Sequence, residues 1–306
     1  MSQVMTVTGA IEASNLGFTL MHEHLLLDLL KASWSVNNIL YEPELAYLEV
    51  MRYKDAGGVT LVDQTNRGLG QDPVAVKKLA ERTGLNIILG CGWYREPYYE
   101  KYLNYWYVDQ IAEQMISDIT EGIDDSGVKA GIIGELGAHE KWVSPVEERV
   151  LRAGARAHHR TGLTITTHGT NSPVALDQLD ILKEEKVDLN RVVVGHCGSW
   201  PYPEFHDEII KRGAWLSFDN LSDTNPYELK KCLTLIKHLI EAGNLDRILL
   251  SHDVCYRTHY ESYGGCGYDF ISTRLLNHLV GIGFSDEMFH QVMVDNPRRA
   301  LTGDLS

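Results

Sequence analysis

The stretch Gly17-Phe18-Thr19-Leu20-Met21-His22-Glu23-His24 is a short apolar run of β-prone residues that closes on a His-x-His pair. Counted from residue 17 to 22, it is the first of eight such runs. The others span 59–63, 86–90, 130–135, 163–168, 191–196, 215–219 and 248–253. Between them lie segments with helical spacing at 42–56, 73–83, 108–122, 145–161, 175–185, 226–242 and 268–281. Ser144-Pro145 ahead of Val146-Glu147-Glu148 is a start signal, since serine caps a helix and proline fits its first turn. Strands that are near-continuous apolar runs, each followed by a helix or a long loop, imply a parallel sheet buried on both faces. A doubly wound open sheet would place a glycine-rich phosphate loop after the first strand, where Met21-His22-Glu23-His24 stands instead. The expected fold is therefore α/β, a single (β/α)8 TIM barrel over residues 1–306, with no linker or low-complexity tract to mark a domain boundary.

Composition narrows the partners. With 44% hydrophobic side chains in 306 residues, the chain can bury a sizeable core without disulfides. Its formal charge of -14 opposes extended contact with a phosphate backbone or an anionic bilayer, so neither nucleic acid nor membrane is expected as a partner. The five cysteines, Cys91, Cys197, Cys232, Cys255 and Cys266, are scattered and form no Cys-x-x-Cys pair. Together with an opening segment that lacks the basic-then-apolar pattern of an export signal, this points to a reduced, cytoplasmic protein.

In a parallel barrel the catalytic groups sit at the carboxyl ends of the strands. Five of the eight runs end there in a metal-ligating residue: His22 with His24, Glu135, His168, His196 and Asp253. Alternation along a strand would turn His22 and His24 to one side and Glu23 to the other. Imidazole mixed with carboxylate suits zinc, manganese, iron or cobalt rather than calcium or magnesium. Six donors exceed what one tetrahedral catalytic site uses. Two divalent transition-metal ions fit better, zinc first with Mn, Co or Fe as alternatives. His22, His24 and Asp253 would hold one ion, His168 and His196 the other, and Glu135 would bridge them around an activated water.

These residues sit in motifs that resemble the phosphotriesterase-related branch of the amidohydrolase superfamily. The resemblance runs from the first strand to Asp295-Asn296-Pro297-Arg298-Arg299-Ala300-Leu301. It takes in Cys91-Gly92-Trp93-Tyr94-Arg95-Glu96-Pro97-Tyr98-Tyr99, Gly134-Glu135-Leu136-Gly137, Thr167-His168-Gly169, Gly195-His196-Cys197 and Ser251-His252-Asp253-Val254. It implies a binuclear hydrolase with His22, His24 and Asp253 on the more buried metal and His168 and His196 on the more exposed one. Well-known members bridge the metals with a carbamylated lysine. Here the position is Glu135, so the chain is similar to a glutamate-bridged subgroup whose site should assemble without carbon dioxide.

Asp253 is the expected catalytic residue, a ligand that also takes and passes on a proton. His252 should point away from it as a packed supporting residue. Tyr94 and Arg95, in an aromatic loop after the third strand, and Arg257, beyond Asp253, are the expected substrate-binding residues, with Gly264-Gly265 as a hinge. Cys197 and Cys255 are read as pocket walls, and the remaining histidines fall in helices or connecting loops. The expected reaction is hydrolysis of a carboxyl centre in a small-molecule lactone, ester or amide. The alternatives are a phosphotriesterase, a mononuclear deaminase using His22, His24, His196 and Asp253, and a barrel that binds a small ligand without turning it over. A homodimer is compatible with a barrel of this type.

Overall fold

A computed structural model describes residues 2–31 and 34–305. Eight parallel strands form one sheet in sequence order: β1 Thr19–Glu23, β2 Thr60–Asp63, β3 Asn86–Cys91, β4 Ile132–Gly137, β5 Ile165–His168, β6 Val192–Val194, β7 Trp215–Phe218 and β8 Ile248–Leu250. Each neighbouring pair in that order is hydrogen-bonded in parallel register. The seam between β1 and β8 closes differently. Ser251 Oγ accepts from the His22 amide at 2.9 Å, and the Asp253 amide donates to the His22 carbonyl at 3.2 Å. Eight strands in unbroken parallel order make the expected (β/α)8 barrel.

The helices follow the strands: α1 Pro43–Asp55, α2 Pro73–Thr83, α3 Val108–Thr120, α4 Pro145–Thr161, α5 Val174–Glu184, α6 Pro203–Lys211 and α7 Pro226–Glu241. The expected segment at 268–281 divides into a π-helical turn, Ile271–Leu275, and α8, Leu276–Val280. Helix α6, a nine-residue helix that buries Phe205, His206 and Ile209, is not among the segments expected from the sequence. An antiparallel hairpin, Gln3–Thr6 with Gly9–Glu12, also went unread; it lies across the amino-terminal mouth of the barrel. No helix among the described residues is long and apolar enough to cross a membrane.

Two apolar layers hold the barrel. Inside it, Met21, Val62, Ile88, Ile132, Val193, Trp215 and Leu249 contribute one side chain from each of seven strands, plugged below by Val4, Ala13, Leu16, Ala300 and Leu301. Outside, residues such as Leu20, Leu61, Ile87, Ile133, Ile165 and Leu216 pack against the helices. The Asn296-Pro297 motif anchors the last helix, Asn296–Thr302, because Asn296 Nδ2 donates to the Leu245 and Ile248 carbonyls at 2.8 Å each. The Ser144 start signal forms a reciprocal cap with Glu147 at the head of α4, with Gly162 in the left-handed region at its end.

Strict alternation fails at two places. Pairing of β1 with β2 takes three steps from Leu20 to Glu23 against two on the partner, and β4 with β5 takes three from Ile133 to Leu136 against two. Each is a β-bulge, which re-aims side chains beside a functional site. The first lets His22 join the donor cluster with His24 and Glu135 although its neighbour Met21 already faces the barrel interior. The second sits on Gly134-Glu135. Gly134 has φ +123°, and a Cβ there would lie 2.3 Å from the Thr166 carbonyl oxygen, so only glycine fits.

A buried ion pair ties the β2 loop to α3. Arg67 grips Asp118 through both oxygens, at 2.7 and 3.2 Å, and Asp118 is almost wholly buried. Replacing Arg67 with methionine should lower unfolding stability by about 3–5 kcal/mol in denaturant titration, because it leaves the Asp118 carboxylate buried with only the neutral Gln114 amide, at 3.1 Å, to meet its charge. A loss below about 1 kcal/mol would show that the pair is exchangeable for apolar packing.

Candidate metal centre

Glu135 is the hub. Its Oε2 lies 3.1 Å from His168 Nδ1 and 3.4 Å from both His22 Nε2 and His196 Nε2, while Oε1 lies 3.7 Å from His24 Nε2. Asp253 Oδ1 stands 3.3 Å from His24 Nε2 and 3.8 Å from His22 Nε2. The six expected ligand residues therefore converge at one rim, and all but Asp253 are almost completely buried. Three compact groups of possible donors form: His22, His24 and Glu135; Glu135, His168 and His196; and His22, His196 and Asp219; the first two share the Glu135 carboxylate.

The outward nitrogens fix the tautomers. Asp219, wholly buried after β7, accepts from His196 Nδ1 at 2.9 Å and contacts His22 Nδ1 at 3.2 Å, so both rings turn Nε2 to the centre. Thr65 Oγ1 meets His24 Nδ1 at 2.9 Å and frees Nε2 in the same way. His168 is reversed, with Nδ1 toward Glu135 and Nε2 3.2 Å from the Tyr94 hydroxyl. A carboxylate, hydroxyl or phenol behind each ligating imidazole is the usual support of a metal-bound histidine.

Two observations test whether the residues fit a cation. His22 Nε2 is buried without a hydrogen-bond partner, and His196 Nε2 and His168 Nδ1 approach to 2.6 Å beside an anionic oxygen. Burial works to lower the His22 imidazolium, yet Glu135 and Asp219 lift it to about 9. Burial would raise the Glu135 carboxyl, but His168 and His22 hold it well below the usual carboxylate range. His168 itself is pushed down to about 4 by burial, against the pull of Glu135, which keeps it a neutral donor. The cluster thus draws positive charge to points lined by imidazole lone pairs, the chemistry of a transition-metal site.

Two of the expected ligands have strained backbones, and a buried carboxylate holds each. His196 has φ +56°, and its amide donates to Asp219 at 3.0 Å. Asp253 has φ +54°, and Glu23 takes the amides on either side of it, His252 at 2.8 Å and Val254 at 3.0 Å. Glu23 also accepts from Ser251 Oγ at 2.8 Å and contacts His252 Nδ1 at 2.9 Å. His252 faces away from the centre as expected, its Nε2 accepting from the Ile271 amide. The sequence reading missed Asp219 and Glu23 as supporting residues; the one available signal for Asp219 was that it ends a strand run like the ligands themselves.

The centre floors a cavity of about 370 Å³ lined by Leu27, Leu29, Leu69, Tyr94, Arg95, Cys255, Tyr256 and His259, among others. Tyr94 and Arg95 stand on it as expected. Arg257 does not. The chain turns outward after Tyr256, and Arg257 pairs with Glu42 and donates to the Ile39 carbonyl at 3.0 Å. Cys197 is likewise off the wall, donating to Val194 O beneath His196. Gly264-Gly265 forms a tight turn rather than a free hinge, since a Cβ on Gly265 would meet the His259 carbonyl at 2.1 Å.

Comparison with known proteins agrees with this geometry. The model of the phosphotriesterase family matches residues 2–301. The phosphotriesterase homology protein of Escherichia coli is 33% identical, over 92% of this chain and 96% of that one. An N-acetyltaurine hydrolase of Dictyostelium discoideum is 28% identical, over 98% of each. The crystal structure of a lactonase from Listeria monocytogenes superimposes with a TM-score of 0.93 at 27% identity, covering 98% of this chain and 99% of that one.

Asp219→Asn should weaken zinc binding by about 10–100-fold in competition with a chromogenic chelator, since an amide cannot accept from both imidazoles and the His196 amide. Unchanged affinity would mean that the two rings are held by packing alone.

Proposed function

The chain belongs to the phosphotriesterase family, and on that footing we propose that residues 1–306 form a binuclear-metal-dependent hydrolase acting on a carboxyl centre of a small molecule: a lactone, an ester or an amide. The observation that carries this reading is the pair of donor groups sharing Glu135. His22, His24 and Asp253 would hold one divalent ion, His168 and His196 the other, with Glu135 between them. When bound, such a pair supplies a Lewis acid for the substrate carbonyl and lowers the pKa of a water molecule. A mononuclear deaminase would have no use for a carboxylate touching four imidazoles. The likeness to an N-acetyltaurine hydrolase and to a lactonase favours carbon over phosphorus as the electrophile.

The protein's own groups then have definite tasks. Asp253 keeps Oδ1 toward His24 and turns Oδ2 to Asn220 Nδ2 at 3.3 Å, on the cavity side, where the carboxylate is partly open to solvent. One oxygen serves the metal site and the other can accept a proton from water and pass it out to solvent. With its Nδ1 lone pair given to a metal ion, His168 would carry its proton on Nε2 and donate it in a hydrogen bond to the Tyr94 oxygen, which would leave the phenolic hydrogen free to donate to a substrate oxygen in the cavity. The buried Leu27, Leu29 and Leu69 exclude water from that side of the cavity, which strengthens both interactions.

With zinc or manganese loaded, a panel of lactones, acyl esters, N-acyl amino acids and paraoxon-like triesters should give higher kcat/KM on the carboxyl substrates than on the triesters. Chelation should abolish turnover and metal should restore it. Asp253→Asn should lower kcat by about 10²–10⁴-fold. Faster triester cleavage would move the electrophile to phosphorus, and turnover that survives chelation would overturn the metal-dependent reading.

A further inference from the structure

Like Arg149, Arg191 and Arg299, Arg95 has a buried Nε without a hydrogen-bond partner, but of these it is the one that lines the metal-centre cavity. Most of the other arginines, including Arg52, Arg67, Arg152, Arg212 and Arg257, pair with a carboxylate. Arg95 makes no ion pair with a carboxylate among the described residues, although Glu135 in the metal centre attracts it. A guanidinium is always charged, and leaving one partly buried without an anion carries a desolvation cost that a structural role would normally avoid.

The residue is also held in place. The Tyr94 carbonyl accepts from the Gly137 amide at 2.5 Å, and the Glu96 amide donates to the buried Glu147 at 3.1 Å. Arg95 lies between these two pins in an extended backbone. Its guanidinium carbon stacks 4.9 Å from the Tyr94 ring centroid and 5.6 Å from that of Tyr98. Aromatic faces orient the planar fork. Lys31 reaches the same Tyr98 ring from the solvent side. A second cavity of about 460 Å³, sharing Thr170, Asn220 and His259 with the first, offers a different surface. It is walled by hydroxyls and amides, and its cation, Lys231, is already neutralised by Glu228.

We propose that Arg95 is the seat for an oxyanion on the substrate, so that the natural substrate carries a carboxylate, sulfonate or phosphate on a short chain from the scissile carboxyl group. This rests on the hydrolase reading and narrows its substrate class. The Tyr94 side chain links the two ends, its hydroxyl at His168 and its ring face at Arg95. A substrate lying along it would present its carbonyl to the metal centre and its anion to the guanidinium. The fork then makes paired charge-assisted hydrogen bonds of the kind that arginine forms with carboxylate, sulfonate or phosphate. The overall charge of -14 sharpens the selection, because an anion meets net attraction only where such a cation stands free.

The test compares mono-4-nitrophenyl glutarate with 4-nitrophenyl valerate, esters of equal acyl length that differ in a terminal carboxylate. It also titrates 1-butanesulfonate, a poor metal ligand, by calorimetry. The zinc-loaded protein should favour the glutarate in kcat/KM by about tenfold or more. In Arg95→Gln that ratio should fall by at least about tenfold, through KM, and sulfonate binding should weaken by a similar factor. Arg95→Lys, which keeps charge but loses the planar fork, should fall between the two. An ester ratio and a sulfonate affinity that stay the same in Arg95→Gln would overturn the assignment and leave Arg95 as a stacking residue. If neither ester is hydrolysed, simple esters are excluded as the substrate class, and the sulfonate titration alone still decides the anion seat.

Discussion

Anionic oxygens and imidazole lone pairs cannot crowd into a dry pocket unless positive charge lies between them. That constraint is set at Glu135, whose two oxygens meet four histidine rings within 3.7 Å. Much of the surrounding structure serves it. The two bulges supply the extra residue that turns His22 and Glu135 to the centre. Asp219 and Thr65 fix which nitrogen each ring presents. Asp219 and Glu23 hold His196 and Asp253 in left-handed backbone conformations that their residue types do not favour. Such strain persists only where neighbouring groups over-determine it.

The seam of the barrel has the same logic. Where β1 meets β8 the regular ladder gives way to Ser251 and Glu23, and these groups place Asp253 beside His22 and His24. Closing the barrel and assembling one half of the donor set are thus a single event. Barrel closure removes the sheet edges. Here it also brings Asp253 to His22 and His24, expected ligands more than two hundred residues away in the chain.

The sequence made the strands, most of the helices and the six converging donors legible, because apolar runs have a fixed period and a ligand at the end of such a run can only sit at the open rim. Supporting groups were harder to read. Asp219 and Glu23 bear the same side-chain types as the ligands, and only the third dimension distinguishes a carboxylate at the centre from one behind it. Bulges leave no mark in composition. Arg257 was placed at the cavity because it is close in sequence to Asp253, but the turn Arg257–His259 carries it outward to Glu42 while Tyr256 and His259 stay on the wall. The loop position of Arg95 predicts a substrate contact, whereas its lack of an ion pair among the described residues emerges only from the folded arrangement.

The central claim is that Glu135 lies between a pair of cations. Anomalous diffraction at the zinc edge, from crystals grown with zinc, tests it most directly. The account predicts two peaks flanking the Glu135 carboxylate, one beside His22, His24 and Asp253 and the other beside His168 and His196. A single peak that leaves Glu135 uncoordinated, or none within the rim, would contradict it.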